Sequence, residues 1–234
     1  MIDIAGSVVL VTGANGGLGT EFVHQALDRG AAKVYASART PRSWDDDRVV
    51  PLALDVTDPT SVARAAAEAA DVTIVINNAG ASNGARVGDA DPHALRDLFD
   101  VNLFGALDVT NAFAPALAAN GGGAVLNVLS VLSWLGIGDG YSATKAALWS
   151  ATNTQRLQLA DQGTLVSALH LGYTDTPMTA EVDAPKNDPA DVVAQAYDGL
   201  AGGAFEILAD DVSRLVKAGL AGPIEGLYPQ LARS

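Results

Sequence analysis

Short, almost wholly apolar runs alternate along the chain with longer stretches whose apolar positions return every three or four residues. The first run, Val8 to Val11, is apolar throughout, the pattern of a strand buried on both faces of a parallel sheet. Behind it come Gly13, Gly17 and Gly19, and then Phe22, Val23, Ala26 and Leu27 at helical spacing. Extended along the chain, the same reading predicts strands over 7–12, 33–38, 49–54, 72–77, 123–130 and 164–170, with a short seventh near 205–208. Helices are predicted over 17–29, 59–70, 93–118, 140–160, 190–201 and 210–218. This alternation favours an α/β fold in one domain, a doubly wound parallel sheet of about seven strands with helices on both faces. No internal repeat, long linker or low-complexity segment interrupts it.

Two constellations carry chemistry. A strand, a glycine turn and a helix start, in that order, present backbone N–H groups and a helix N-terminus to a pyrophosphate. Further on, Tyr141-Ser-Ala-Thr-Lys145 places a phenol and an ammonium on one helix face, one turn apart. A cation so placed favours the phenolate and is expected to draw the tyrosine pKa down from about 10. Tyr141 is therefore expected to exchange a proton near neutral pH.

Composition narrows the choice of partners. The net charge is −13, which argues against nucleic acid or an anionic membrane as a partner. There are no cysteines, and His24, His93 and His170 are scattered, so neither a disulfide nor a metal site is expected. No apolar run approaches the length of a membrane span, and no basic stretch precedes an apolar core at the N-terminus. The expectation is a cytoplasmic protein.

The glycine spacing is Thr-Gly-x-x-x-Gly-x-Gly. With the Tyr141 to Lys145 motif, it resembles the short-chain dehydrogenase/reductase family in its single-domain, Rossmann-type form, over nearly the whole chain. The resemblance implies a catalytic set of Ser130, Tyr141, Lys145 and Asn102. Ser130, ending the run from Ala124, would orient the substrate carbonyl. Lys145 would lower the Tyr141 pKa and hold the nicotinamide ribose. Asn102, in Asp100-Val-Asn-Leu103, would steady a water in a proton relay. A cofactor site is implied at Gly13, Asn15, Gly17, Leu18 and Gly19 of the turn and at Asp55 and Val56, with Asp55 on the adenine. It continues through Asn78, Ala79 and Gly80 of Asn77-Asn-Ala-Gly80, Tyr141 and Lys145, and Thr174 and Thr176 on the nicotinamide half.

The choice of cofactor has a physical argument. Where an NAD enzyme ends its second strand with an acid for the ribose 2′-hydroxyl, this chain has Ala38 followed by Arg39. A guanidinium binds a 2′-phosphate bidentately, Ser37 adds a hydroxyl, and Arg42 lies nearby. NADP(H) is therefore expected over NAD(H). The implied reaction is reversible reduction of a ketone or aldehyde to an alcohol. The alternatives are a non-catalytic NADP(H)-binding sensor, and an isomerase or dehydratase on the same scaffold. A halohydrin-dehalogenase-like enzyme would need Arg in place of Lys145 and would lack the glycine loop.

The chain departs from the family pattern in two places. Ser130 and Tyr141 stand closer together than is usual, with Ser133 as a second candidate hydroxyl, and Leu171-Gly172 replaces the usual Pro-Gly. Val131, Leu132, Trp134 and Tyr173 are expected to border a small hydrophobic substrate, with 179–189 as a lid. Ala143, Ala146, Ala147, Leu148 and Ala151, with Trp149 beside them, offer a face for a homo-oligomer, a dimer or tetramer.

Overall fold

Seven parallel strands, β1 (Val8–Thr12), β2 (Lys33–Ala38), β3 (Val49–Ala53), β4 (Ile74–Asn77), β5 (Ala124–Val128), β6 (Leu165–His170) and β7 (Glu206–Leu208), form one sheet in the order β3-β2-β1-β4-β5-β6-β7. The structure is a computed structural model that describes residues 2–88 and 92–231. Val11 pairs with Ala36 on one side and Ile76 on the other, so β1 lies at the centre of the sheet. The strand order reverses between β1 and β4, where the loops leaving the two strands diverge and open a crevice.

Alternation along the strands builds two cores. Val9, Val11, Ile74, Ile76 and Leu126 face α1 (Leu18–Asp28) and α6 (Pro189–Ala201), where Phe22 meets Tyr197 edge-on at 5.7 Å. Leu10, Val75 and Val125 face α2 (Pro59–Glu68), joined there by Val109 and Phe113 from farther along the chain. Phe22 and Phe113 are wholly buried, each contributing about 1.5–3 kcal/mol by removal from water. The predicted strands are present, as are all the predicted helices but one, most with ends shifted by a residue or two.

The helix predicted over 93–118 is instead three segments. They are α3 (Pro92–Phe99), a π-helical turn over Asp100–Phe104, and α4 (Gly105–Ala119). A period of 3.6 carries no signal for one inserted residue, so apolar spacing did not reveal the bulge. The bulge turns Asn102 inward, where it is 1% exposed. Gly105 follows because a Cβ there would lie 2.8 Å from a Val56 methyl.

α5 (Asp139–Gln158) lies on the α4 face of the sheet and carries Tyr141 and Lys145. It is held to β5 by Asn127, whose amide donates to Thr152 Oγ1 and Gln155 Oε1, each at 2.9 Å. Leu148, expected on an outer face, packs against Leu129, Ala168 and Ala106 instead. Trp149 is half-buried and donates to Glu206 at 2.8 Å. The chain then runs through α7 (Asp211–Gly219) and α8 (Ile224–Leu227), the latter too short to show a period in the sequence. Among the described residues, no helix is long and apolar enough to cross a membrane.

Candidate active site

The turn after β1 can be built only from glycines at its close contacts. A Cβ at Gly19 would lie 2.1 Å from the Gly13 carbonyl oxygen, and one at Gly13 would lie 3.1 Å from Ala79 Cα. Gly17 has φ 53 and ψ −136, a region that side chains avoid, and no side chain caps the helix it opens. The first N–H groups of α1 therefore face the crevice beside a backbone that comes unusually close. Leu18 begins α1 and packs against the core behind the turn. Thr12 locks the floor, since its hydroxyl accepts from Asn78 N at 3.0 Å and Ala79 N at 2.9 Å. Asn78 donates to Thr12 O at 2.9 Å, tying β4 to β1. Thr12 was not among the expected cofactor residues, although it opens the glycine motif. This cradle fits a dinucleotide pyrophosphate.

At the adenosine end, Asp55 Oδ1 accepts from the Thr57 amide and hydroxyl. Those bonds, with Arg39 nearby, hold its carboxyl below the usual range. Arg39 is exposed, and Asn15 donates to Thr40 O at 2.8 Å, fixing the loop that carries it. Ser37 does not fill its expected role. Its side chain is wholly buried and donates to Val11 O at 3.0 Å across the sheet, facing away from any phosphate. Arg42 lies over the Trp44 ring at 4.1 Å and donates to Thr20.

At the other end, Gly80 brings two expected catalytic side chains together: a Cβ there would lie 3.4 Å from Asn102 Oδ1 and 3.8 Å from Lys145 Nζ. Asn102 exchanges a pair of hydrogen bonds with the Ala81 backbone, at 2.8 and 2.9 Å, and also donates to Thr144 Oγ1 at 3.1 Å. Thr144 is thus a supporting residue that the motif reading passed over. Lys145 donates to Val128 O at 2.8 Å, two residues before Ser130, and its Nζ lies 5.6 Å from the Tyr141 ring centre. Ser130 ends the β5 segment; its hydroxyl accepts from Leu132 N at 3.1 Å and donates to Leu171 O at 3.4 Å. Ser133 is also buried, with no partner for its hydroxyl among the described residues.

The electrostatics differ from the sequence expectation. Burial pushes the Tyr141 phenol up to about 12 and the Lys145 ammonium down to about 8. Two desolvated groups each resist charge, and the lysine's proton is shared with a carbonyl instead of the phenol. In the free protein, desolvation thus outweighs the pull of the cation. Asp139, just before Tyr141, has φ 49, so α5 opens on strained backbone.

Two further expectations change. Trp134 and Val131 lie buried in a small core with Val216, and Trp134 stacks on His170 at 3.9 Å, so both have a packing role. Leu132 packs against the same core, while Tyr173 is 45% exposed. The segment expected as a lid is partly tied down. Thr174 bridges to Asn187, and Thr179 donates to Thr174 O at 2.5 Å. Thr176 touches the place where a Gly17 Cβ would stand, at 3.5 Å, which brings it to the glycine turn. The Thr174 hydroxyl is turned to Gly172 O at 3.3 Å. A surface depression of about 540 Å³ beside Trp44 and His24 is lined by Arg42 but by none of the expected catalytic residues.

A parallel sheet with a glycine cradle at its switch point, and a Tyr-x-x-x-Lys helix across from it, defines a dinucleotide-dependent oxidoreductase scaffold. The family model for short chain dehydrogenases matches residues 7–187, and the chain belongs to that family. A short-chain dehydrogenase from Burkholderia cenocepacia, solved in complex with NADP, is 39% identical. It superimposes with a TM-score of 0.92 over 99% of this chain and 100% of its own. The cis-4-hydroxycyclohexanecarboxylate dehydrogenase of Sinomonas cyclohexanicum is 33% identical over 80% of this chain and 78% of its own. The 3-oxoacyl-acyl-carrier-protein reductase of Escherichia coli is 28% identical over 88% of each. The protein is thus a short-chain dehydrogenase/reductase that uses a nicotinamide cofactor.

Proposed function

We propose that the protein catalyses NADPH-dependent reduction of a small hydrophobic ketone or aldehyde, reversibly, with Tyr141 as the proton donor. The observation that carries this reading is the convergence of Lys145 and Asn102 on Gly80, one helical turn along α5 from Tyr141. When bound, the nicotinamide supplies the hydride. A phenol held at about 12 is fully protonated near neutral pH, the state needed to give a proton to a developing alkoxide. In this reading Ser130 donates a hydrogen bond to the same oxygen, exchanging its weak 3.4 Å bond to Leu171 O for the substrate. Lys145, on Val128 O, stands ready to stabilise the phenolate left behind. Asn102, fixed by Ala81 and Thr144, anchors the relay that returns the proton.

Arg39, exposed at the end of β2 with no acid before it, supports NADP(H) over NAD(H), as does the NADP in the Burkholderia relative. The ring-bearing alcohol named for the Sinomonas relative supports an alicyclic substrate. A homo-oligomer through the outer face of α4 and α5 is part of the proposal, since Ala146 is exposed and Leu157 is 81% exposed.

The test follows the absorbance of NADPH and of NADH over a panel of hydrophobic ketones and aldehydes, with Tyr141→Phe in parallel. Turnover that prefers NADPH and is lost in the variant supports the proposal. Turnover that survives in Tyr141→Phe removes Tyr141 from its role, and a preference for NADH removes the Arg39 argument.

A further inference from the structure

Asp210 caps the N-terminus of α7, and a helix start requires only one acceptor from its capping side chain. One carboxylate oxygen meets that need, with Oδ1 accepting from Ser213 N at 2.7 Å. Oδ2 is used differently: it accepts from Gly172 N at 2.5 Å and from Asn187 Nδ2 at 2.8 Å. The carboxylate is 8% exposed, so these are charge-assisted bonds shielded from water.

Both Oδ2 partners lead to the site. Gly172 N–H and Leu171 C=O belong to one rigid peptide plane. Leu171 O accepts from Val131 N at 2.8 Å and from the Ser130 hydroxyl at 3.4 Å. Asp210 therefore grips one edge of the peptide whose other edge holds Ser130. Gly172 leaves room for this close approach, since a Cβ there would lie 3.3 Å from Oδ2. Asn187 closes the far end of the 173–187 loop, exchanging backbone bonds with Tyr173 O at 2.8 Å and Asp175 N at 3.0 Å. That loop carries Thr174 and Thr176. The same oxygen thus fixes both stems of the loop and the peptide behind Ser130.

We propose that Asp210 is a positioning residue, setting the Ser130 hydroxyl through the Leu171–Gly172 peptide and the 173–187 loop through Asn187. This rests on the reading of Ser130 as the group that orients the carbonyl.

The test compares Asp210→Asn and Asn187→Ala with the unmodified protein. An amide at 210 keeps the helix cap but can set its NH2 against the N–H of Gly172. Asp210→Asn should retain a cooperative melt near that of the unmodified protein. It should lose about tenfold or more in kcat, as small misplacements of a reacting group do, and weaken NADPH binding, read by fluorescence titration, about threefold or more. Asn187→Ala cuts only the loop limb. It should speed amide hydrogen exchange over 173–187 and weaken NADPH binding while costing less kcat than Asp210→Asn.

A folded Asp210→Asn with kcat and NADPH affinity within about twofold of the unmodified protein overturns the proposal. So does an Asn187→Ala with unchanged exchange and affinity, and that arm decides the matter if Asp210→Asn does not fold. Absence of turnover in the unmodified protein would count against the reductase reading alone, because affinity and exchange are read without a substrate.

Discussion

Lys145 should make the free protein less stable at neutral pH than it would be without it. Burial moves its ammonium from 10.5 in the open chain to about 8 in the fold, which corresponds to about 3 kcal/mol of unfavourable desolvation below pH 8. Replacing it with methionine, of similar length and no charge, removes that cost. It also leaves Val128 O without its 2.8 Å donor, a loss of about 1 kcal/mol. The net expectation for Lys145→Met, without cofactor, is a gain of about 2 kcal/mol at pH 7. Between about pH 8 and 10.5 the unfolded chain binds a proton that the native lysine does not. Stability of the unmodified protein therefore rises with pH across that window, and the variant's advantage shrinks to nothing or reverses by about pH 10. Urea unfolding at pH 7, 8.5 and 10 reads both the sign and the pH dependence. A variant less stable at pH 7, or one whose difference from the unmodified protein is flat from pH 7 to 10, would refute the reasoning. A gain in stability with loss of turnover would mark Lys145 as a residue kept for chemistry at the expense of the fold.

Two other predictions test the cofactor site. Arg39→Ala should weaken NADPH binding about 10- to 100-fold, the loss of one charge-assisted pair to a phosphate, and leave NADH affinity nearly unchanged. Parallel fluorescence titrations of the two cofactors check it, and equal losses for both would remove Arg39 from the 2′-phosphate. Gly19→Ala sets a methyl 2.1 Å from the Gly13 carbonyl oxygen, so the turn must move. Binding of both cofactors should fall below detection by calorimetry, with a lowered melting temperature, and unimpaired binding would mean the cradle lies elsewhere.

Most of the scaffold was legible because buried parallel strands are apolar runs and α1, α2 and α6 carry clear helical periods. The glycine turn was legible for a stricter reason: the close approach at Gly19 and the positive φ at Gly13 both disfavour any side chain. What escaped depends on three-dimensional placement. The π-turn around Asn102 leaves no trace in a 3.6-residue pattern. Ser37 and Trp134 read as site residues, yet strand alternation sends the Ser37 hydroxyl into the sheet, and the loop after β5 folds Trp134 onto His170. The spacing of Tyr141 and Lys145 shows that they share a helix face but not how far both are desolvated, and desolvation decides their pKa values. Asp210 is in sequence only the first residue of the helix predicted over 210–218, because its partners Gly172 and Asn187 meet it through tertiary packing.

The central claim is that a hydride passes to a carbonyl carbon while Tyr141 protonates its oxygen. The most direct measurement supplies NADPH deuterated at the transferable position of the nicotinamide, with a ketone the enzyme turns over, and locates the label in the product by mass spectrometry. One deuterium on the former carbonyl carbon, from the unmodified protein and not from Tyr141→Phe, is the predicted result. Product without the label, or equal labelling by Tyr141→Phe, would contradict the account.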